Sequence, residues 1–346
     1  MKPTAKAQMI NAVSPSASCK ICIAAQQKFT SHRCGWNYAI QALAPLHHPR
    51  GVLFDGFIES SFLWQSESNR AAAYCPPYRQ PWVGFLHYPP NMPAWFLYHD
   101  SPQRLFQRDD WQASFEHCSG LFCLSDYQAQ WLRELTGKPV SALVHPTEIP
   151  AVQFDFEKFV ANPQKKIVQL GWWLRKLNAI YQLPIAVGNP LGYQKVRLMP
   201  VSGSAAIKQI RVLTQTERTV EGLTLNAAYV DNTAECDRLS NAAYDTLLSQ
   251  NIAFALLHDT SANNAVIECI ARATPLLINP LPAVVEYIGK DYPLYAQTLD
   301  EAADKAMDLA RLHSAHQYLK TCSTRRKMSA DAFRAQFQSS EVYRLL

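Results

Sequence analysis

Residues 258–287, HDTSANNAVIECIARATPLLINPLPAVVEY, hold the strongest chemical signal in the chain. An apolar run ends at His258. Asp259, Thr260, Ser261, Ala262 and Asn263 then make a small polar turn, and a helix is expected to open at Asn263 or Asn264. The first amides of a helix have no partner inside it and sit at the positive end of its dipole, which suits a diphosphate. Small residues let phosphate oxygens approach that backbone. Glu268 follows one turn later, and an ionised carboxylate accepts two hydrogen bonds from a vicinal diol such as a ribose. The plainer reading makes Ser261 or Asn263 a helix cap and leaves Glu268 in water. Against it, Glu268 stands in the apolar run AVIECIA, where an unpaired carboxylate is costly.

Three other segments carry candidate groups. In VQLGWWLRKLNAIY (168–181) an apolar run ends at Gly171, and Arg175 and Lys176 follow. Two cations there could neutralise a diphosphate leaving group. Trp172 and Trp173 read as packing residues rather than a stacking platform. In WVGFLHYPPN (82–91) His87 ends a run ahead of a Pro-rich loop, where it could orient a hydroxyl or carry a proton. In SHRCGWNYAIQAL (31–43) Gly35 opens a helix, with His32 and Arg33 as possible anion or acceptor groups. Ser125 reads as a helix cap with Asp126 in the first turn. His145-Pro146 is given no chemistry.

Short apolar runs alternate with helical patterns along the whole chain, which implies mostly parallel sheets covered on both faces. Strands are expected at 20–25, 51–58, 82–88, 120–125 and 140–146, then at 165–171, 195–200, 223–230, 252–258 and 274–280. Helices are expected at 126–137, 240–248, 264–273, 282–289, 299–312 and through most of 325–346. The first 17 residues read as a loose tail. A Pro-bearing stretch near 147–164 reads as a linker between two α/β halves, which in a chain of 346 residues matches two domains. Ligands of such sheets gather at the C-terminal ends of the strands, so the cleft between the halves is the default site.

With these elements in place, residues 258–287 resemble the donor-binding segment of GT-B glycosyltransferases with a group-1, family 4-like C-terminal domain. That segment runs Glu, seven residues, Glu, with Phe-Gly after the first Glu. It continues through Ala and Gly-Thr-Pro to a Pro- or Gly-rich turn and a further Glu. Glu268 stands at the second Glu, ARATPLL (271–277) at the small-residue and Thr-Pro stretch, and Glu286 at the last Glu. Thr260 occupies the place of the first Glu, with Asp259 beside it.

The resemblance implies a fold of two Rossmann-like α/β/α domains facing a central cleft. They would be an acceptor-side domain at 1–150, a nucleotide-sugar-binding domain at 165–322, and a C-terminal helix at 323–346 crossing back to the first. It implies that Glu268 binds the donor ribose, that the backbone at Asn263 and Asn264 meets the phosphates, and that Thr260 and Ala262 also belong to the donor-binding set. It also implies that Gly35 and Gly171 flank the donor, that Arg175 and Lys176 offset its charge, and that His87 lies near the sugar and acceptor. In the family the first Glu touches the transferred sugar, and Asp259 is the group that could substitute here.

The expected activity is transfer of a sugar from a nucleoside diphosphate sugar to an acceptor hydroxyl, without a metal or other cofactor; the resemblance implies retention and, by analogy, a place in surface glycan synthesis. Two alternatives stay open: a nucleotide-sugar 2-epimerase, and an inactive module that binds sugar nucleotides.

Composition narrows the field. Apolar residues make up 48% and charged residues 18% of the chain, which suits packed cores rather than disorder. The net charge of +5 comes without a basic block, so no nucleic-acid partner is expected. Nine scattered cysteines read as free thiols of a reducing compartment. Cys19 and Cys22 have metal-like spacing, but in a strand they point to opposite faces, and no second pair follows. No Asp-x-Asp, G-x-x-x-x-G-K-S/T, G-x-S-x-G or G-x-G-x-x-G occurs. No signal-like or membrane-length apolar run occurs either, so a cytoplasmic protein is expected, at most peripheral at the inner face of the membrane.

Overall fold

The computed structural model describes residues 20–23, 35–64 and 75–346. Cys19, His32 and Arg33, together with the N-terminal tail, lie outside the described residues. Two five-stranded sheets organise the chain, and every strand pairing in them is parallel. The first contains β1 (Ile21–Ile23), β2 (Val52–Asp55), β3 (Trp82–Phe85), β4 (Cys118–Cys123) and β5 (Val140–Ala142), in that spatial order. The second contains β6 (Lys166–Gln169), β7 (Gln194–Leu198), β8 (Thr233–Cys236), β9 (Ile252–Ala255) and β10 (Leu276–Ile278), ordered β10-β9-β6-β7-β8. Residues 143–155, without helix or strand, join the sheets.

The apolar runs become strands because a parallel strand covered by helices on both faces has no wet side. β3 and β9 are buried at every residue. Local chemistry sets the helix ends. Ser125 accepts from the Gln128 N–H at the start of Asp126–Thr136, and Gly137 closes that helix with a φ of 62°. Ser240 caps Asn241–Ser249 in the same way. The expected helix at 299–312 is two helices, Leu299–Met307 and Leu309–Thr321, because the Asp308 side chain caps the second.

One expected strand is wrong. Residues 223–230 are a loop and the short helix Ala227–Val230, and the strand lies later, at Thr233–Cys236. The Asn226 side chain accepts from the Ala228 N–H and so begins a helix where the apolar pattern suggested a strand. β8 itself is an edge strand with mixed burial and carries little apolar signal. The 16-residue helix Ala205–Val220 was not anticipated. Its buried stripe is Ile210, Leu213, Thr214 and Glu217, half of it polar, which blurs the periodicity.

The last helices return to the first sheet. Ala330–Ser339 lies against Trp36–Leu43, and Phe333, Phe337, Val342 and Tyr343 share a core with Phe54, Phe85 and Phe122. Phe337 stacks on Phe122 at 4.6 Å between ring centroids. Gly120 of β4 permits this docking, since a Cβ there would lie 2.9 Å from Val342 Cγ1.

Candidate functional site

A cavity of about 650 Å³ lies where the C-terminal strand ends of the two sheets face each other. From the first sheet it takes Gly35, Trp36, Phe57, His87, Tyr88 and His145. From the second it takes the segment after β6 (Leu170–Arg175), the one after β7 (Leu198–Pro200), and the turn and helix after β9 (Asp259–Ala265, Glu268). Of the residues singled out from sequence, Gly35, His87, Gly171, Arg175, Asp259, Thr260, Ala262, Asn263, Asn264 and Glu268 all line it. Lys176 does not. Its side chain is exposed and its backbone N–H bonds Leu256 O at 2.8 Å, so the expected pair of cations reduces to Arg175. Consecutive residues at an irregular strand end point apart, which spacing alone does not reveal.

The helix after β9 spans Asn264–Arg272, with Asn263 at its cap. Asn263 Oδ1 accepts from the Ala265 N–H at 3.0 Å and from Arg175 Nη2 at 2.9 Å. That second bond joins the helix start to the segment after β6. Gly171 makes it possible. Its φ of 69° is costly for any residue with a side chain, and the Arg175 guanidinium folds back over it, 3.1 Å from where a Cβ would stand. Arg175 also donates to Leu170 O and Trp173 O. A mostly buried, fixed guanidinium therefore lies beside an amide-rich helix start, both facing the cavity.

Glu268 is 3% exposed and its carboxylate receives the Tyr244 hydroxyl. Sequence reading missed Tyr244, Arg238, Asn241 and Leu198–Pro200, which continue the wall past Glu268. They come from the segment after β7, the turn after β8 and the helix Asn241–Ser249, and form no motif with Glu268. Asp259 is engaged across the cleft. Its Oδ2 accepts the Asn91 N–H at 2.8 Å and the Tyr127 hydroxyl at 3.2 Å, and its Oδ1 accepts the Thr260 N–H. Burial raises its pKa above the ordinary aspartate value. Glu286 makes a parallel clasp, accepting the Asp126 N–H with both oxygens. Ser125 and Ser261 meet at 3.3 Å between the same two halves.

His87 stands in an aromatic box, 4.5 Å from the Trp36 ring and 4.1 Å from Phe57. Glu59, fully buried beneath it, accepts the backbone N–H groups of His87 and Tyr88, each at 2.7 Å. Its other oxygen lies 3.5 Å from His87 Nδ1, in ion-pair range of a protonated imidazole but not hydrogen-bonded. Both imidazole nitrogens and Trp36 Nε1 are buried without a hydrogen-bond partner among the described residues. Buried polar atoms are normally paired, so these three point to a polar ligand in the cavity. Glu59 was also missed, although a Glu inside FIESSF was its signal. Trp172 and Trp173 are packing residues, as expected, that also border the cavity. They pack against Phe96, with Trp173 4.7 Å from Tyr88.

Solved structures settle the architecture. The chain is similar to the UDP-forming α,α-trehalose-phosphate synthase of Burkholderia xenovorans, with a TM-score of 0.55 and 14% identity over 89% of this chain and 77% of that one. It is also similar to the E. coli trehalose-6-phosphate synthase bound with UDP-2-fluoro glucose, with a TM-score of 0.54 and 14% identity over 90% and 77% of the two chains. The synthase of Burkholderia vietnamiensis follows at 0.53, with 15% identity over 87% and 75%. The fold is GT-B. No family model and no curated protein matches the sequence. Within the GT-B frame the cavity is the inter-domain cleft, and the Asn264–Arg272 helix, Arg175 and Glu268 belong to its C-terminal half.

Proposed function

We propose that this protein is a glycosyltransferase that moves a sugar from a nucleoside diphosphate sugar to an acceptor hydroxyl. The observation that carries the reading is the convergence of Arg175, the helix start at Asn263–Asn264 and Glu268 on one wall of the cleft. The diphosphate lies against the Asn264 end of the helix, where the dipole and open amides favour negative charge. Arg175 offsets the charge that grows on the departing diphosphate. Glu268, oriented by Tyr244, accepts the ribose hydroxyls, and the base extends toward Leu198–Pro200 and Arg238. His87 and Trp36 face the sugar and acceptor from the other domain. The charge balance needs no metal in this arrangement, and retention of configuration follows the family resemblance.

One observation favours a second reading, a module that binds sugar nucleotides without transfer. Thr260 replaces the carboxylate expected on the transferred sugar, and the neighbouring Asp259 is bonded to Asn91 and Tyr127. A thermal-shift panel of uridine, guanosine, adenosine and thymidine diphosphate sugars tests both, since a ligand of the native state raises Tm by mass action. The names of the similar structures make the uridine donors the first to try. A rise with one donor, and nucleoside diphosphate release that depends on an acceptor, is the expected result. Donor binding without release on any acceptor favours the module. No rise with any donor removes both readings.

A further inference from the structure

We infer a second anion site, outside the cleft, that takes a phosphate monoester or an ion of like charge and geometry. A pocket of about 210 Å³ lies between β7, β8 and the Ala205–Val220 helix, walled by Tyr181, Arg197, Arg211, Thr214, Arg218 and Glu235. None of these residues lines the central cavity. At about 30 Å³ per water in the liquid, the space holds a phosphoryl group and part of what it is attached to.

The charges of this pocket are not balanced from within. Arg197 is 2% exposed, yet among the described residues its guanidinium hydrogen-bonds only neutral groups, the Tyr181 hydroxyl at 3.4 Å and Thr214 Oγ1 at 3.1 Å. It also lies over the Tyr181 ring. Arg218 uses Nε on Asn178 Oδ1 at 2.6 Å, and no described residue accepts from its two Nη groups. Arg211 pairs with Glu235 at 3.0 Å, and Glu235 also accepts the Tyr181 hydroxyl. Glu217 does not line the pocket and is engaged with Asn178, accepting from its side-chain amide. Its oxygens accept the Leu177 and Asn178 N–H groups and meet His258 Nε2.

Three guanidiniums against one carboxylate leave the walls two charges positive. A buried cation with no anion beside it is expensive, and a dianion in the pocket would relieve that cost. The planar donor fork of arginine fits phosphate oxygens. The helix supplies Arg211, Thr214 and Arg218 at spacings of three and four, so all three face the same way.

The test is calorimetric titration of the full chain with inorganic phosphate at constant ionic strength. The cleft proposed above for a diphosphate also attracts phosphate, so variants of this pocket, none of whose residues line the cleft, assign the binding. Arg218→Gln should weaken phosphate binding about tenfold or more, the worth of a charge-assisted fork. Glu235→Gln, which removes the one opposing carboxylate from an exposed edge position, should tighten it by about threefold. A merely structural role for this cluster would not give shifts of opposite sign. Glu235→Gln keeps the test alive if Arg218→Gln does not fold. Absence of phosphate binding up to about 10 mM, the weak limit of specific affinity, overturns the inference, as does wild-type affinity in both variants.

Discussion

Glu268 shows how one carboxylate can be read from its neighbours. AVIECIA placed it in an apolar setting, and the structure finds it almost fully buried on the cleft wall with the Tyr244 hydroxyl on it. Hydrogen bonds to a charged group contribute about 1.5–3 kcal/mol, so Glu268→Ala should weaken binding of the preferred nucleoside diphosphate by about tenfold to a hundredfold in calorimetry. Unchanged affinity would remove the ribose role. Asp259 gives a pH signature. Its pKa is raised by burial above the ordinary 3.8, so the folded state binds its proton more tightly than the unfolded chain does. Its stabilising share is fully present below the ordinary value and is lost as pH rises through the raised one. Asp259→Asn keeps the shape and loses the titration. The Tm of the wild type should therefore fall relative to that variant from about pH 4 upward, the ordinary carboxylate value. A difference in Tm that does not vary with pH would show that the Asp259 proton does not follow this scheme.

At the scale of elements, the segment after β6 is the most constrained part of the site. Gly171 takes a left-handed φ of 69° beneath the Arg175 guanidinium, and Arg175 in turn holds the Asn263 cap. Gly171→Ala should cost about 1–2 kcal/mol of stability from its backbone conformation alone, measured by urea unfolding. It should also weaken donor binding, because the new methyl displaces the guanidinium. A variant as stable as wild type with full donor affinity would contradict the account. Sequence disclosed this segment as a place of charge but not its directions. Arg175 turns inward and Lys176 outward. Helices with apolar stripes and Ser, Thr or Asn caps were legible, as at Asn241–Ser249. Ala205–Val220 was not, because its inner face carries Thr214 and Glu217 to serve buried polar partners.

At the scale of the molecule, the chain crosses between its halves twice. Phe333 and Phe337 bring the C-terminal end into the core of the first sheet, beside Phe54, Phe85 and Phe122. Phe337→Ala empties a fully buried ring site and should cost about 3–5 kcal/mol, read as a shift in the urea midpoint. A loss below about 1 kcal/mol, typical of a surface change, would mean that this helix does not stabilise the first sheet as described. The clasps of Asp259 and Glu286 close the same two halves over the cleft.

The sequence by itself determined the alternating α/β order, the apolar strands other than the edge strand β8, and the small polar turn ahead of a buried Glu. Each of these is a local pattern, since the period of apolar residues and the identity of capping residues act over a few positions. Tertiary structure alone decided that Tyr244, Arg238 and Leu198–Pro200 complete the wall begun by Glu268. It alone placed Glu59 beneath His87 and tied Asp259 to the opposite domain. Those contacts join residues up to 168 positions apart. Which strand ends face one another depends on sheet order and domain closure, and no local spacing encodes either.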